Sequence, residues 1–235
     1  MENYKLSISS AIGTGWEYAK KHGLMIAVIL LIVYVATNAL SGLFGTNIEM
    51  SEAQRIGERM GRGDMEALKD FANLYSSTGS TIASLITALV EIVLYVGLYN
   101  LALGLIRGTY TTVTFDAFKL PLMTYVKYLV VEILVGFISG VATLLCIIPA
   151  FFVVPRIVLA PIYIIENPEA GVFEAITASW NMTKGNTLAM IGLWFAFVGI
   201  LIVGFLCCCI GAVFAEVIIL FATVAAYYQL RGDRV

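Results

Sequence analysis

Four charged side chains interrupt the long apolar runs of this sequence: Glu91, Glu132, Arg156 and Glu216. A charge near the centre of a bilayer costs about 2.5 to more than 10 kcal/mol, so each should face a bundle interior, a partner or water. Glu91 and Arg156 fall at similar depths in their runs, which predicts an ion pair between them. Glu132 falls nearer one membrane surface, and Glu216 falls nearer the other.

These charges support two interpretations. Three acids against one arginine leave carboxylates unpaired, and an unpaired buried carboxylate tends to take up a proton. The functional interpretation is a buried polar site for a proton, an ion or a polar substrate. The structural interpretation is an ion pair that fixes the registry of the helices, with Glu132 reaching back to the membrane surface.

The cysteines have a pattern that suits redox chemistry better than metal binding. They are Cys146 and the triplet Cys207, Cys208 and Cys209. Their spacing is not that of zinc ligands and His22 is the only histidine, so we expect no metal site and no other cofactor. Both groups fall at predicted hairpin tips. If that side is oxidising, a disulfide between the tips is one expectation, and small apolar residues in tight turns are the other.

The composition indicates a membrane protein. Of the 235 residues, 60% are hydrophobic and 13% are charged, whereas soluble domains average about 45–50% and about 25%. Apolar runs of about 20 residues recur, and each can cross a bilayer as a helix. The formal net charge of −2 and the lack of a basic cluster argue against nucleic acid as a partner.

The apolar runs predict an all-α membrane protein with six transmembrane helices. The first run is longer than the apolar region of a signal peptide, so we interpret it as a retained span. The fourth run is short and contains Pro155 and Pro161, which predict a kink or partial unwinding. The predicted spans are residues 24–44, 81–106, 128–147, 150–165, 187–206 and 210–230.

Three amphipathic segments predict helices that lie on the membrane surface, at residues 1–23, 108–127 and 168–185. Each precedes two spans, so the sequence predicts a pseudo-threefold repeat of a unit that consists of one surface helix and two spans. The start of the third helix is predicted by three consecutive residues. Asn167 is expected to be the N-cap, Pro168 the first helical residue and Glu169 the acid of the first turn.

Residues 45–80 form the one sizeable polar region and predict a helical hairpin outside the membrane. Ser51 and Gln54 have the spacing of a capping box, and the stretch Gly61–Asp64 breaks the helical pattern. Lysine and arginine are more frequent on the side that carries both termini. The positive-inside rule therefore places the termini and the surface helices in the cytoplasm and the hairpin on the far side.

The third surface segment and the sequence after it resemble a known group of proteins. The motifs are Glu174-Ala175 with Ser179, then Lys184-Gly185-Asn186, an apolar span, a hairpin and Ala226-Tyr227-Tyr228-Gln229-Leu230. They resemble a broad group of bacterial six-span proteins similar to the membrane domain attached to some glycerophosphodiester phosphodiesterases. The stretch Ser7–Lys21 is also similar to the start of many Bacteroidota members. The resemblance implies a six-span protein of the inner membrane, and it implies no catalytic activity.

Together these features predict a non-enzymatic protein of the bacterial inner membrane. The leading expectation is a scaffold or accessory subunit that binds membrane lipids and another membrane protein, or a second copy of itself. Short loops and the lack of a catalytic set motivate it. The alternative is a small proton- or ion-coupled transporter that uses Glu91, Arg156 and Glu216, and a water-accessible cavity that reaches these residues would distinguish it.

Overall fold

The protein is built from helices. The computed structural model describes residues 4–43, 50–77, 81–145, 147–207 and 209–233, and no strand occurs among them. A 3-10 turn, Phe115–Phe118, lies between the fourth and fifth α-helices. The α-helices are α1 (Ile8–Leu43), α2 (Met50–Gly61), α3 (Glu66–Ser77), α4 (Thr81–Arg107), α5 (Leu122–Leu145), α6 (Ile147–Ile157), α7 (Ala160–Glu166), α8 (Val172–Met182), α9 (Thr187–Leu206) and α10 (Cys209–Arg231).

Five stretches in the described part of the chain are long and apolar enough to cross a membrane. They are Ile8–Ala39, Ile86–Arg107, Leu122–Thr143, Thr187–Leu206 and Gly211–Arg231. This composition and length agree with an all-α, multi-pass membrane protein. The predicted span at residues 150–165 is absent from these five because it is divided in two.

That divided stretch consists of α6 and α7. These helices have 11 and 7 residues, and each is shorter than the roughly 20 residues that a bilayer requires. Val158 and Leu159 form a turn between them. Pro155 lies inside α6, and Pro161 lies in the first turn of α7. Because proline has no N–H to donate to the carbonyl four residues earlier, this pair accounts for the break.

The first predicted surface helix and the first span form one continuous helix, α1. The prediction placed a boundary near residue 23, but α1 continues to Leu43. A Cβ on Gly15 would lie 2.7 Å from the carbonyl oxygen of Ile218, and a Cβ on Gly23 would lie 2.8 Å from the ring of Phe214. These glycines therefore permit close approach to α10 and do not mark a helix end.

The second predicted surface helix, residues 108–127, is mostly a loop. Gly108 has a φ of 80° directly after α4, and the threonine-rich residues that follow have low helix propensity. The 3-10 turn begins where the Thr114 hydroxyl accepts a hydrogen bond from the N–H of Asp116 at 3.1 Å. Pro121 precedes α5, which contains residues 122–127. The structure thus differs from the predicted helix over this segment.

The third predicted surface helix is α8, which begins at Val172 and not at residue 168. Asn167 ends α7, since its backbone N–H donates to the carbonyl of Tyr163 at 2.9 Å. The first-turn acid of α8 is Glu174, which accepts a hydrogen bond from the N–H of Gly171 at 3.2 Å. The three predicted surface segments adopt three different conformations, and the threefold repeat stays a prediction.

The chain folds into two compact units. Unit 2 is Leu30–Glu91 and contains α2 and α3, which lie on either side of the predicted break. Arg59 on α2 pairs with Asp64 in the turn at 2.8 Å and with Asp70 on α3 at 2.6 Å. The hydrogen bond from Arg59 is the largest of the effects that lower the pKa of Asp64.

Unit 1 comprises Met1–Ile29 and Ile92–Val235. The short helix α7 is almost wholly buried in it, against α5 and α8. Lys127 on α5 donates to the carbonyls of Pro168 and Ala170, and so fixes the loop between α7 and α8. The buried cluster around α7 consists of Val131, Ala160, Ile164, Ala170 and Ala175.

Candidate functional site

Glu132 and Glu216, two of the predicted site residues, share a cluster with three tyrosines in unit 1. The Tyr95 hydroxyl on α4 donates to Oε1 of Glu216 on α10 at 2.9 Å. Tyr128 precedes Glu132 by one turn on α5, and its hydroxyl lies within electrostatic range of that carboxylate. Tyr99, one turn from Tyr95 on α4, lies within electrostatic range of both carboxylates. We call these five residues the tyrosine–carboxylate cluster.

The tyrosine–carboxylate cluster lies within candidate membrane spans. Glu132 is ten residues after Leu122, the start of its span, which corresponds to about 15 Å along the helix. Glu216 is five residues after Gly211, about 8 Å from that end of its span. Both carboxylates therefore lie at depths where a lone charge is costly.

The cluster contains two carboxylates and is open on one side. Glu132 is exposed, Glu216 is half-buried, and the side chain of Tyr128 is buried. The ion pairs described in unit 1 involve Arg107, Lys119 and Arg231, so no described lysine or arginine of this unit pairs with either carboxylate. Two carboxylates with three hydroxyls can hold a proton or a cation, and the hydroxyls can pass a proton between them.

Arg156 lies elsewhere, at the N-terminal end of α9. Its Nε donates to Oγ1 of Thr187 at 3.1 Å, and its guanidinium lies 4.7 Å from the ring centroid of Trp180 on α8. Thr187 is the first residue of a candidate span, so the guanidinium is at a span end. The prediction placed it near mid-depth by its position within residues 150–165, whereas in the structure it contacts the first residue of α9.

The backbone of Arg156 is stabilised by a buried hydroxyl. Its carbonyl oxygen accepts a hydrogen bond from Ser179 Oγ at 2.7 Å. Thr183 Oγ1 lies 3.3 Å from the same carbonyl, but its proton has a closer acceptor in the carbonyl of Ser179 at 2.8 Å. Ser179 is fully buried on α8, which packs against α6. A backbone carbonyl beside a helix break has lost its helical partner, and an apolar interior makes such a loss costly. The Ser179 hydroxyl replaces that partner, so the break is a stable part of the fold.

Glu91 and the cysteines remain untested as site residues. Glu91 belongs to unit 2 and Arg156 to unit 1, so their ion pair stays a prediction. Cys146 and Cys208 lie outside the described residues, and of the neighbouring Cys209 only its place at the start of α10 is described. Cys207 is a free, exposed thiol. The predicted disulfide therefore also stays a prediction.

The most buried ion pair in the described part of unit 1 centres on Glu166, a residue that sequence reasoning missed. This residue ends α7, and its side chain is only 4% exposed. Arg107 at the end of α4 and Arg231 at the end of α10 both pair with its carboxylate. The Tyr227 hydroxyl donates to the same carboxylate, and Asp233 accepts from Arg231 at 3.2 Å. The carboxylate thus joins the C-terminal ends of three helices.

A signal for this ion pair is present in the sequence. Arg107, Glu166 and Arg231 each follow the last apolar residues of a predicted span, and these are the second, fourth and sixth spans. Alternate spans run in the same direction, so their C-terminal ends lie on one side of the membrane. The sequence therefore brings one acid and two basic residues to equivalent span ends, and the packing of the helices brings these ends together.

Two amide side chains hold the N-terminal segment. Asn186 accepts a hydrogen bond from the N–H of Leu6 at 3.0 Å and donates to the carbonyl of Tyr4 at 2.7 Å. Gln229 accepts from the N–H of Ser7 at 3.0 Å. Asn186 and Gln229 belong to the motifs that carry the family resemblance, and in this structure their role is to fasten the chain before α1.

Comparisons with known proteins add no relative. No family model matches the chain, and neither a curated protein nor a solved structure is significantly similar to it. The resemblance to the bacterial six-span group therefore stays a prediction.

Proposed function

We propose that the protein is a non-enzymatic, multi-pass scaffold or accessory subunit that binds membrane lipids and docks a second membrane protein on its tyrosine–carboxylate cluster. The observation that carries this proposal is Glu132, an exposed carboxylate halfway along a candidate span. Facing lipid, it would cost several kcal/mol. A partner helix with a basic or hydrogen-bonding side chain at that depth would remove the cost, since an opposite charge stabilises the carboxylate.

The same proposal includes the membrane topology. The pair α6–α7 completes a sixth crossing, which brings both termini to one side. The excess of lysine and arginine on that side makes it the cytoplasmic side of a bacterial inner membrane. The polar hairpin of unit 2 is then the extracytoplasmic loop, and α8 lies on the cytoplasmic surface with Phe173 and Trp180 exposed to the interface.

The arrangement of the cluster favours one second candidate, a proton-coupled permease. Tyr99 lies within electrostatic range of both Glu132 and Glu216, and Tyr128 lies within range of Glu132. Chains of carboxylates and hydroxyls pass protons in pumps and transporters. Arg156, which the sequence pattern assigned to the transporter site, does not belong to this group.

A crosslinking experiment tests the scaffold proposal. A photoreactive amino acid at Phe137, which is 68% exposed on α5, should give one discrete crosslinked protein mass in native membranes. Glu132→Gln should reduce this product, because it removes the charge and keeps the shape of the side chain. Glu169→Gln, an exposed acid outside the candidate spans, is the matched control and should leave it unchanged.

The outcomes separate the candidates. A crosslinked mass of twice the chain identifies the partner as a second copy. Lipid adducts alone, together with a monomer in every mild detergent, would refute the scaffold proposal. Proton uptake by proteoliposomes that disappears in Glu132→Gln would support the permease instead.

A further inference from the structure

An apolar cavity of about 540 Å³ opens between α5, α6 and α9 in unit 1. Its walls include Ser139, Thr143, Phe151, Val154, Trp194 and Val198. The Thr143 hydroxyl donates to the Ser139 carbonyl at 2.8 Å, so this polar group is used within α5. The volume lies in the range of small-ligand sites, about 300–1,000 Å³. Exposed aromatic rings of Phe151 and Trp194 border the opening, and these walls suit a hydrocarbon chain.

The guanidinium of Arg156 lies next to one end of this cavity. Pro155 lines the cavity and directly precedes Arg156, while Ile191 lines it one turn after Thr187 on α9. Because Thr187 binds the Nε of Arg156, the guanidinium lies about one helical turn, roughly 5 Å, beyond the cavity wall. The cavity and the charge therefore meet at the N-terminal end of α9, where a candidate span begins.

The remaining donors of Arg156 are free to bind an anion. Only Nε has an acceptor among the described residues, so both terminal nitrogens of this half-buried side chain are available. The central carbon of the guanidinium lies over the Trp180 ring, 4.7 Å from its centroid. A guanidinium edge binds a phosphate group through two parallel hydrogen bonds. The nearby N–H groups at the start of α9 also favour negative charge, and the Asn186 side chain does not cap them.

We propose that this site binds one anionic phospholipid, with its phosphate on Arg156 and an acyl chain in the cavity. The inference rests on the proposed membrane location, but it is independent of the partner proposed for the tyrosine–carboxylate cluster. A phospholipid is the occupant because the charge and the apolar cavity adjoin at a span end. A phospholipid presents a phosphate and a hydrocarbon chain with the same order and spacing.

The test compares lipids by native mass spectrometry of the intact chain in detergent micelles. Wild type should retain phosphatidylglycerol over phosphatidylcholine of the same acyl chains. Arg156→Gln should lower retention of phosphatidylglycerol by about tenfold or more, the effect of a lost charge-assisted hydrogen bond. Arg156→Lys should lower it less, since the charge remains and the paired donors are lost. Val198→Trp, which fills the cavity, should lower retention of both lipids.

The matched control is Lys20→Gln. Lys20 also stacks on a tryptophan, 5.1 Å from the ring centroid of Trp16, but does not line the cavity. Equal losses of phosphatidylglycerol retention in Lys20→Gln and Arg156→Gln would overturn the proposal, because they would indicate that retention depends on overall surface charge. Inorganic phosphate is also added as a competitor of the bound lipid in wild type and in Val198→Trp. If phosphate displaces the lipid equally in both, the site binds free phosphate and the proposal is overturned.

These results are distinguishable from failure of the proposed function. Equal lipid retention by wild type and Arg156→Gln in a chain that remains in the membrane fraction refutes only the lipid site. Recovery of wild type in the aqueous fraction without detergent refutes the membrane location, and the lipid site with it.

Discussion

Glu166 offers the sharpest test of what holds unit 1 together. Replacing it by alanine removes one carboxylate from the meeting point of α4, α7 and α10. Three groups then lose a partner: Arg107, Arg231 and the Tyr227 hydroxyl. The expected result is a large loss of stability, although Glu166 lies outside the tyrosine–carboxylate cluster and the cavity.

The size of the loss follows from the burial of each partner. Arg107 and Arg231 are 50% and 38% exposed, so water still solvates them, and each pair should contribute only about 0.2–1 kcal/mol. Tyr227 is fully buried. Its hydroxyl would lose its acceptor, which costs about 1–3 kcal/mol. Glu166→Ala should therefore cost about 1.5–5 kcal/mol, whereas Glu166→Gln, which keeps an acceptor, should cost about 0.5–2 kcal/mol.

The assay is reversible unfolding in detergent micelles, followed by circular dichroism. Glu169→Ala is the control, since Glu169 is an exposed acid three residues along the chain, and its loss should change stability by less than about 0.5 kcal/mol. In a Tyr227→Phe background the buried hydroxyl is absent. Glu166→Ala should then cost about 2 kcal/mol less than in wild type.

Two results would refute this reasoning. If the effects of Glu166→Ala and Tyr227→Phe are additive, the hydroxyl and the carboxylate are not coupled. If Glu166→Ala lowers the free energy of unfolding no more than Glu169→Ala does, the Glu166 carboxylate does not join the helix ends.

Three further predictions concern other contacts. Gly15→Ala should destabilise the protein by about 1–3 kcal/mol in the same unfolding assay, because the new Cβ would meet the backbone of α10 at 2.7 Å. Ser179→Ala should cost about 1–2 kcal/mol in that assay, because it removes the hydrogen bond to the buried carbonyl of Arg156. The pKa of Asp64 is lowered in the folded state, so the stability that its pair with Arg59 contributes is present above the unfolded value of 3.8 and is lost as the pH falls through the lower folded pKa. The protection of amides in α2 and α3 against hydrogen exchange, relative to the intrinsic exchange rate at each pH, should fall in that acidic range.

Each of these predictions has its own control. Gly13→Ala should stabilise the protein by about 0.5–1 kcal/mol, because nothing lies within 4 Å of its Cβ position and alanine favours a helix. A loss as large as that of Gly15→Ala would show that helix contact is not the cause. Thr177→Ala should be nearly neutral, because its exposed hydroxyl bonds within α8. Arg59→Gln should abolish the acid-dependent change in hydrogen exchange; an unchanged profile would contradict the assignment to Asp64.

Several features of the fold were predictable from apolar run length. The predicted span 187–206 coincides with α9. The span at 81–106 is one residue shorter than α4 at its C-terminal end, and the span at 210–230 is one residue shorter than α10 at each end. Prolines in the fourth run also predicted its interruption. The structure shows no boundary near residue 23, because α1 continues through it to Leu43. In the structure Gly15 and Gly23 are packing contacts, and packing in three dimensions overrides local propensity.

The candidate site was predictable only in part. Hydropathy singled out Glu132 and Glu216, since a charge inside an apolar run is visible in one dimension. The tyrosine partners of these carboxylates were not predictable from hydropathy. Tyrosine is common in membrane helices, and which group it contacts depends on which helices are neighbours. Glu166 was missed because it lies just past a predicted apolar run, where a carboxylate costs little if it faces water. Its burial depends on the ends of two other helices.

The sequence by itself determined that this chain is helical and apolar enough to cross a membrane several times. That follows from run length, because each run must satisfy its own backbone within a helix. Only the tertiary structure decided which charges meet. It joined Glu166 to two arginines, and it brought Glu132 and Glu216 within electrostatic range of Tyr99. It also moved Arg156 to the end of α9 beside the apolar cavity. These pairings depend on which helices are neighbours and how far each is shifted along its axis, and a one-dimensional pattern does not specify either quantity.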